Sequence, residues 1–266
     1  MSRWKRLRWV GVLALLTLCI GAASAAAAER KVIGHSVEGR PIVGIRLAPA
    51  DAELKVLVVG AVHGDERAGM RITRRLIKLG APRNAELIIV PTLNPDGVAA
   101  RTRGNAHGVD LNRNFPFDWR PLTGGEYSGP GALSEPESRA AHRLILGERP
   151  DVTIWFHQPF GLIDRPEGNP FAARRFAELI DLPLIRLAGR YPGSASRWQN
   201  DRLPRTTAFV AELPRQVSGV LVARGVAAVR SLASELASPA IDGQHGHSAR
   251  QLTTSMRITI LRPAIA

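Results

Sequence analysis

The sequence predicts a single α/β domain built on a largely parallel mixed sheet with helices on both faces. Three observations predict it. Strand-length apolar runs alternate with helix-length amphipathic segments along the chain, the order that yields parallel strands joined by crossover helices. The runs LKVLVVGAV (54–62), ELIIVPTL (86–93) and DVTIWFH (151–157) are apolar almost throughout, as strands covered on both faces are. The 266 residues, 45% hydrophobic and 22% charged, suffice for one well-buried core.

The elements follow in order. MSRWKRLR (1–8), WVGVLALLTLCI (9–20) and GAASAAAA (21–28) run charged, then greasy, then small. That is the order of a secretory signal peptide, with Ala23-Ser24-Ala25 as its cleavage site. Residues 1–25 are therefore expected to direct export to the periplasm or beyond and to be removed, leaving a mature form without a membrane span. An uncleaved anchor is the alternative, because the 19 residues from Val10 to Ala28 carry no charge and reach across a bilayer core. Cys19 is the only cysteine. Cleavage would thus leave a chain with neither disulfides nor thiolate zinc sites.

KVIGHSVEGRPIVGIRLA (31–48) reads as a hairpin turning near Glu38-Gly39-Arg40-Pro41. The first buried strand runs to His63, and DERAGMRITRRLIKLG (65–80) reads as a helix closed by Gly80. The second buried strand stops at Asn94-Pro95-Asp96-Gly97. From Val98 to Glu135 the chain is irregular and rich in Gly, Asn, Pro and Arg, and loops of that length inside a domain are commonly functional. PESRAAHRLILGE (136–148) predicts a helix, DVTIWFH a strand ending at His157, and NPFAARRFAELIDL (169–182) a helix. TTAFVAEL (206–213) predicts a strand carrying Glu212, and GVLVARGVAAVRSLASEL (219–236) a last long helix. Residues 30–240 are the predicted domain, and 241–266 an appendix whose His245 and His247 lack the support a metal site needs.

The net charge is +13, but Arg3, Lys5, Arg6 and Arg8 belong to the N-terminal segment. The remaining arginines are scattered, aromatics make up 5%, and no nucleic-acid motif is present. The basic balance reads as solvated surface that helps at most to attract an anionic substrate or wall polymer. No nucleic-acid partner is expected.

In α/β sheets ligands gather where strands end and loops begin. Three predicted strands end in a metal-binding or proton-binding side chain: His63, His157 and Glu212. In His63-Gly64-Asp65-Glu66 an imidazole and a carboxylate three apart can meet at one ion if the first ends a strand and the second begins a helix. Those ligand types suit Zn²⁺, which in a catalytic site keeps one position open for water. Alone, His-x-x-Glu recurs by chance. The structural alternative is a His63 that caps the sheet and a Glu66 placed at the positive end of the helix.

The ordered set HGDE (63–66), NPDG (94–97), Arg103, GVDLNRNFP (108–116), WFHQ (155–158) and AEL (211–213) resembles the zinc carboxypeptidase family. Within it, the resemblance is to the bacterial murein-amidase branch, and it runs from about Val56 to Pro214. It implies the zinc carboxypeptidase fold and one Zn²⁺ per chain. His63, Glu66 and His157 match the metal ligands, and Asp110 the aspartate that accepts the second N–H of the first histidine. Arg103 matches the arginine that polarises the scissile carbonyl, with Arg101 as the alternative two residues earlier. Asn112 and Arg113 match the pair that holds a substrate carboxylate, for which a planar guanidinium is suited. Glu212 matches the general base.

The chain also departs from the family. Many carboxypeptidases carry a tyrosine on a mobile loop before the glutamate. Tyr191 stands in a different setting, RYPGSASRW, and is either a pocket-edge residue or ordinary packing. Trp198 shapes the pocket or fills the core.

The implied reaction is zinc-dependent hydrolysis of a peptide or amide bond next to a free carboxylate. The implied substrate is a peptidoglycan-derived peptide, cut between the γ-carboxyl of D-glutamate and meso-diaminopimelate. The alternatives are a general metallocarboxypeptidase, a related deacylase, or a non-catalytic zinc-stabilised wall-binding protein. Retention of Glu212 argues against the last.

Overall fold

The structure, a computed structural model, describes residues 28–189 and 191–238. The expected signal segment 1–25 and the appendix 241–266 lie outside the described residues.

The continuous apolar runs form the middle of the sheet, because only strands covered on both faces can carry them. β3 (Leu54–Val59), β4 (Ala85–Val90), β5 (Val152–His157) and β8 (Thr207–Pro214) are its inner strands. β1 (Glu29–His35) and β2 (Pro41–Leu47) form the expected hairpin at one side. β6 (Phe160–Asp164) and the two-residue β7 (Leu184–Ile185) close the other side. Among the described residues the order is β1-β2-β4-β3-β5-β8-β6-β7. The inner pairs β4–β3, β3–β5 and β5–β8 are parallel, as is β6–β7. Pairs β1–β2, β2–β4 and β6–β8 run antiparallel. This is the largely parallel mixed sheet that the sequence predicts.

The two-residue pleat sorts the inner strands onto two cores. Val56 and Val58 of β3 face one layer with Ile154 and Phe209. That layer is covered by α1 (Ala68–Leu79), α4 (Phe171–Ile180) and α6 (Gly219–Ala237), which supply Ile72, Phe176 and Val229. Leu57 and Val59 face the other layer with Trp155 and Val210. α3 (Pro136–Glu148) and α5 (Ala195–Arg202) cover it with Ile145 and Trp198. Burying each large side chain contributes about 1.5–3 kcal/mol. Trp198 packs on Phe115 at 5.4 Å and on His142 at 4.6 Å, so it is a core residue.

Some boundaries differ from the sequence reading. β3 stops at Val59 rather than His63, and α1 starts at Ala68 rather than Asp65. His63 and Glu66 both sit in the connecting turn, where the Glu66 N–H reaches the His63 carbonyl at 3.3 Å. α1 lacks a side-chain cap of its own, and its Ala68 N–H donates to Gln158 Oε1 at 3.0 Å instead. β6, β7 and α5 are additional. Their segments are short, and ASRWQNDR carries little apolar periodicity to announce a helix. The long loop holds one short helix, α2 (Pro95–Ala100), and two 3-10 turns at Leu111–Arg113 and Gly124–Glu126. Among the described residues no helix is long and apolar enough to cross a membrane.

Candidate active site

Parallel strands carry their site residues to one edge of the sheet. His157 is the last residue of β5 and pairs directly with Glu212 of β8, so adjacent strands about 4.8 Å apart present both side chains on one face. The turn after β3, next to β5, brings His63 and Glu66 to the same point. His63 Nδ1 lies 2.9 Å from Glu66 Oε1, and His157 Nδ1 lies 3.0 Å from Glu66 Oε2. The two Nδ1 atoms are 3.2 Å apart. One ligand atom from each residue falls within 4.8 Å of the others, and all three residues are buried.

This arrangement fits a zinc ion. Bonds of about 2.0–2.1 Å in a tetrahedral site place neighbouring ligand atoms about 3.3 Å apart, close to the separations found here. Asp110 completes the fit. Its Oδ1 lies 2.9 Å from His63 Nε2, and a carboxylate only accepts, so Nε2 carries a proton and Nδ1, which faces Glu66, is the atom left to take either a second proton or the metal.

The electrostatics follow from the same contacts. Burial works against a charged His63, but Asp110 and Glu66 on either side push it up to about 9. A proton and a divalent cation therefore compete for one lone pair. Burial would raise the Glu66 carboxyl, yet hydrogen bonds from His157 and His63 hold it well below the usual range. Asp110, likewise buried, is held down by His63 and Arg103. Glu212 behaves in the opposite way. Burial pushes its carboxyl above the usual range, and the nearby Glu66 charge adds to this against His157. Its Oε2 is buried without a hydrogen bond among the described residues.

The order of the motifs has a mechanical reason in this chain. Asn94 caps α2 by accepting from the Gly97 N–H at 2.8 Å, and its Nδ2 donates to the Gly104 carbonyl at 3.1 Å. NPDG thus anchors the backbone next to Arg103. That side chain donates through Nε and Nη2 to Asp110 Oδ2 at 3.0 and 2.8 Å, and through Nη1 to Glu66 Oε1 at 3.0 Å. HGDE and NPDG also touch directly, since a Cβ on Gly64 would lie 1.9 Å from the Gly97 carbonyl carbon.

Asn112 and Arg113 form the next part of the wall. Asn112 Oδ1 accepts from the Ala195 N–H at 3.0 Å, which leaves its amide N–H₂ as the remaining donor. Arg113 donates to the Asn112 carbonyl at 2.9 Å and to Glu126 Oε1 at 2.5 Å. Gly193, with φ of +72°, lies against Arg113, and a Cβ there would meet the Arg113 carbonyl oxygen at 1.9 Å. The PGS turn therefore needs glycine for both conformation and space. Two guanidinium groups, those of Arg113 and Arg197, each lie 5.2 Å from the Tyr191 ring centre.

The structure gathers His63, Glu66, Arg103, Asn112, Arg113, His157 and Glu212 around one cavity of about 650 Å³, and Tyr191 lines it too. Asp110 stands behind it. Three further residues enter that the sequence reading did not single out. Gln158 follows His157, donates its N–H to Glu66 Oε2 at 3.1 Å, caps α1, and bonds the Pro214 carbonyl at 3.1 Å. Its place in WFHQ was the available signal. Glu126 and Asp164 also line the cavity, and neither lies in a motif.

A family model described as "Zinc carboxypeptidase" matches residues 20–163, more than half of the chain. Murein peptide amidase A of Escherichia coli (strain K12) is 31% identical over 188 residues, covering 63% of this chain and 75% of that protein. Murein peptide amidase A of Vibrio campbellii is 29% identical over 197 residues, covering 68% and 77%. The crystal structure of a murein-tripeptide amidase from Escherichia coli O157 superposes with a TM-score of 0.63 at 24% identity, over 82% of this chain and 96% of that one. At that identity the likeness concerns the fold. With a His–Glu–His triad able to hold one metal ion at the edge of that fold, the chain belongs to the zinc carboxypeptidase family and is a zinc hydrolase.

Proposed function

We propose that this chain hydrolyses an amide bond next to a free carboxylate in peptidoglycan-derived peptides, between γ-D-glutamate and meso-diaminopimelate. The observation that carries the reading is the pairing of His157 with Glu212 across β5 and β8. It sets a buried carboxylate beside the triad in a cavity of substrate size. The murein peptide amidases among its relatives supply the substrate class.

In this reading His63, Glu66 and His157 hold the metal, and Asp110 fixes the orientation of His63. Zinc, when bound, supplies a Lewis acid that polarises a carbonyl and makes water a better nucleophile. Glu212 takes the proton from the attacking water and hands it to the leaving amine. A carboxyl pushed up by burial suits both halves of that transfer, because it holds the proton between the two steps. Arg103, tied to Asp110 and Glu66, presents positive charge where the oxyanion develops. Asn112 and Arg113 hold the substrate's free carboxylate, which fixes the bond relative to Glu212. Export through residues 1–25 would place the enzyme with wall peptides outside the inner membrane, an inference from the signal-like order of that segment.

The test is Glu212→Gln in purified protein. Turnover of γ-D-glutamyl-diaminopimelate peptides is expected to fall at least about 100-fold, the scale of general base catalysis, while zinc content stays at one per chain. Unchanged turnover would mean that Glu212 is not the base. Wild-type protein that spares these peptides yet trims ordinary C-terminal residues would be a general carboxypeptidase instead.

A further inference from the structure

α1 carries its charge on one side. Arg67 at its N-cap position, and Arg71, Arg74, Arg75 and Lys78 along it, are all exposed. At about 3.6 residues per turn and about 1.5 Å of rise, they fall within about 100° of arc and about 16 Å of axis. The opposite side of the helix buries Ile72, Thr73 and Leu76. The cations therefore form one narrow stripe that points away from the core.

No acid neutralises this stripe among the described residues. α3, α4, α5 and α6 each contain an acid (Glu137, Glu178, Asp201 and Glu235), and α1 contains none. On the same layer, Arg175 is held by Glu178 and Glu235, and Arg224 by Asp181. None of the stripe side chains forms an ion pair among the described residues. Like charges three and four residues apart work against a helix, and cations in its first turn work against its dipole. A merely solvated helix face mixes the two signs; this one does not.

The stripe begins at the cavity. Arg67 follows Glu66 of the triad, and the acids beside it in the chain, Asp65 and Glu66, line the cavity. Arg71 donates to the Val217 carbonyl at 2.8 Å, which ties it to the segment after β8. There Arg215 is exposed and lines the cavity too. From this edge α1 runs back between the parallel β3 and β4, away from the site.

A narrow row of cations leading out of a substrate cavity fits a linear anion better than a flat one. The stripe has no aromatic side chain on which a nucleic-acid base could stack. The large apolar side chains exposed on this layer, Leu79, Phe171 and Val220, stand on three different helices rather than in one belt that could enter lipid. Guanidinium groups, four of the five cations, suit carboxylates through paired N–H donors.

We propose that the α1 stripe is a docking track for the wall polymer itself, a peptidoglycan strand whose peptides carry repeated carboxylates. One peptide occupies the cavity while its neighbours lie along Arg71, Arg74, Arg75 and Lys78. The inference rests on the proposed function and deepens it, because it makes a peptide still attached to the strand a better substrate than the same peptide free.

Co-sedimentation with purified peptidoglycan sacculi, read beside turnover of the free γ-D-glutamyl-diaminopimelate peptide, tests it. Zinc-loaded wild-type protein is expected to sediment with sacculi at about 0.05 M salt and to be released at about 0.5 M, where exposed charges are screened. Arg74→Gln/Arg75→Gln/Lys78→Gln should weaken this binding about 10–100-fold, since each exposed ion pair lost is worth up to about 5-fold. Turnover of the free peptide should stay the same. So should the melting temperature, because glutamine suits an exposed helical position. Arg143→Gln/Arg202→Gln/Arg205→Gln removes three exposed cations from α3, from α5 and just beyond it. It should leave sacculus binding unchanged.

Equal losses in the two triple variants would reduce the stripe to net charge and overturn the inference. So would sacculus binding that survives the α1 substitutions, or wild-type protein that prefers phosphatidylglycerol vesicles or duplex DNA to sacculi. Stripe-dependent binding together with an uncut free peptide would support the track and sink the proposed reaction. Cleavage of the free peptide without sacculus binding would do the reverse.

Discussion

Arg113 already holds a carboxylate. Its guanidinium donates to Glu126 at 2.5 Å, so the group proposed to hold the substrate's carboxylate meets an internal competitor first. The glutamate side chain is 55% exposed although Arg113 is only 5% exposed, and an ion pair open to solvent on its acidic side is worth about 1 kcal/mol. Displacing Glu126 therefore costs a substrate at most about 5-fold in affinity. Glu126→Gln is expected to lower KM by up to about 5-fold with kcat unchanged, as read in steady-state assays on the γ-D-glutamyl peptides. A raised KM would show that Glu126 orients the guanidinium rather than competes for it. Nothing in Gly124-Gly125-Glu126 marks this pairing in the sequence, because Glu126 and Arg113 meet only through the path of the loop between them. His63, Glu66 and His157 are a different case, since their residue types and order were legible in HGDE and WFHQ.

At the scale of elements, the turn between β3 and α1 matters more than either element. It holds His63 and Glu66 and is pressed against α2 through Gly64 and Gly97. Both contacting groups are backbone, so a methyl on Gly64 has no flexible side chain to displace. Overpacking of this kind costs about 1–3 kcal/mol and occasionally more. Gly64→Ala is expected to lower the melting temperature and also weaken zinc binding, seen in thermal melts and in competition with a chelator. Wild-type values for both would mean that the two loops separate freely.

The inner strands and long helices were legible because their apolar residues form local patterns: continuous runs at Val56 to Val59 and Ile154 to Phe156, and a helical period on the face of α6. The true starts and ends at the site were not. Glu66 is drawn out of α1 by His157 and Gln158, partners 91 and 92 residues away in the chain. β6 was missed for a related reason, since its five residues acquire strand character only by pairing with β8.

For the whole molecule, the metal site is a guest on a sheet that two apolar layers already hold together. Ile72, Phe176 and Val229 pack one face, and Ile145 and Trp198 the other, and none of these contacts involves a metal ligand. Stripping zinc with a chelator is expected to leave far-UV circular dichroism intact and abolish turnover. The melting temperature should fall by about 5–10 °C for an ion present at about 100 times its Kd, given about 2.7 kcal/mol of binding linkage and 2–4 °C per kcal/mol. Added zinc should restore activity and melting temperature. Outright unfolding on chelation would mean that the ion, rather than the two layers, holds the fold.

The sequence by itself determined the α/β class, the order of the inner strands along the chain, and the residue types that bind metal and carboxylate. These are carried by periodicity and motif, which are local properties of a chain. Only the tertiary structure decided that His63 and His157 face each other at 3.2 Å, that Gln158 caps α1, and that Glu126 occupies Arg113. Each depends on the register between strands and on contacts across long loops, and those are settled when the sheet packs, not by any short stretch of residues.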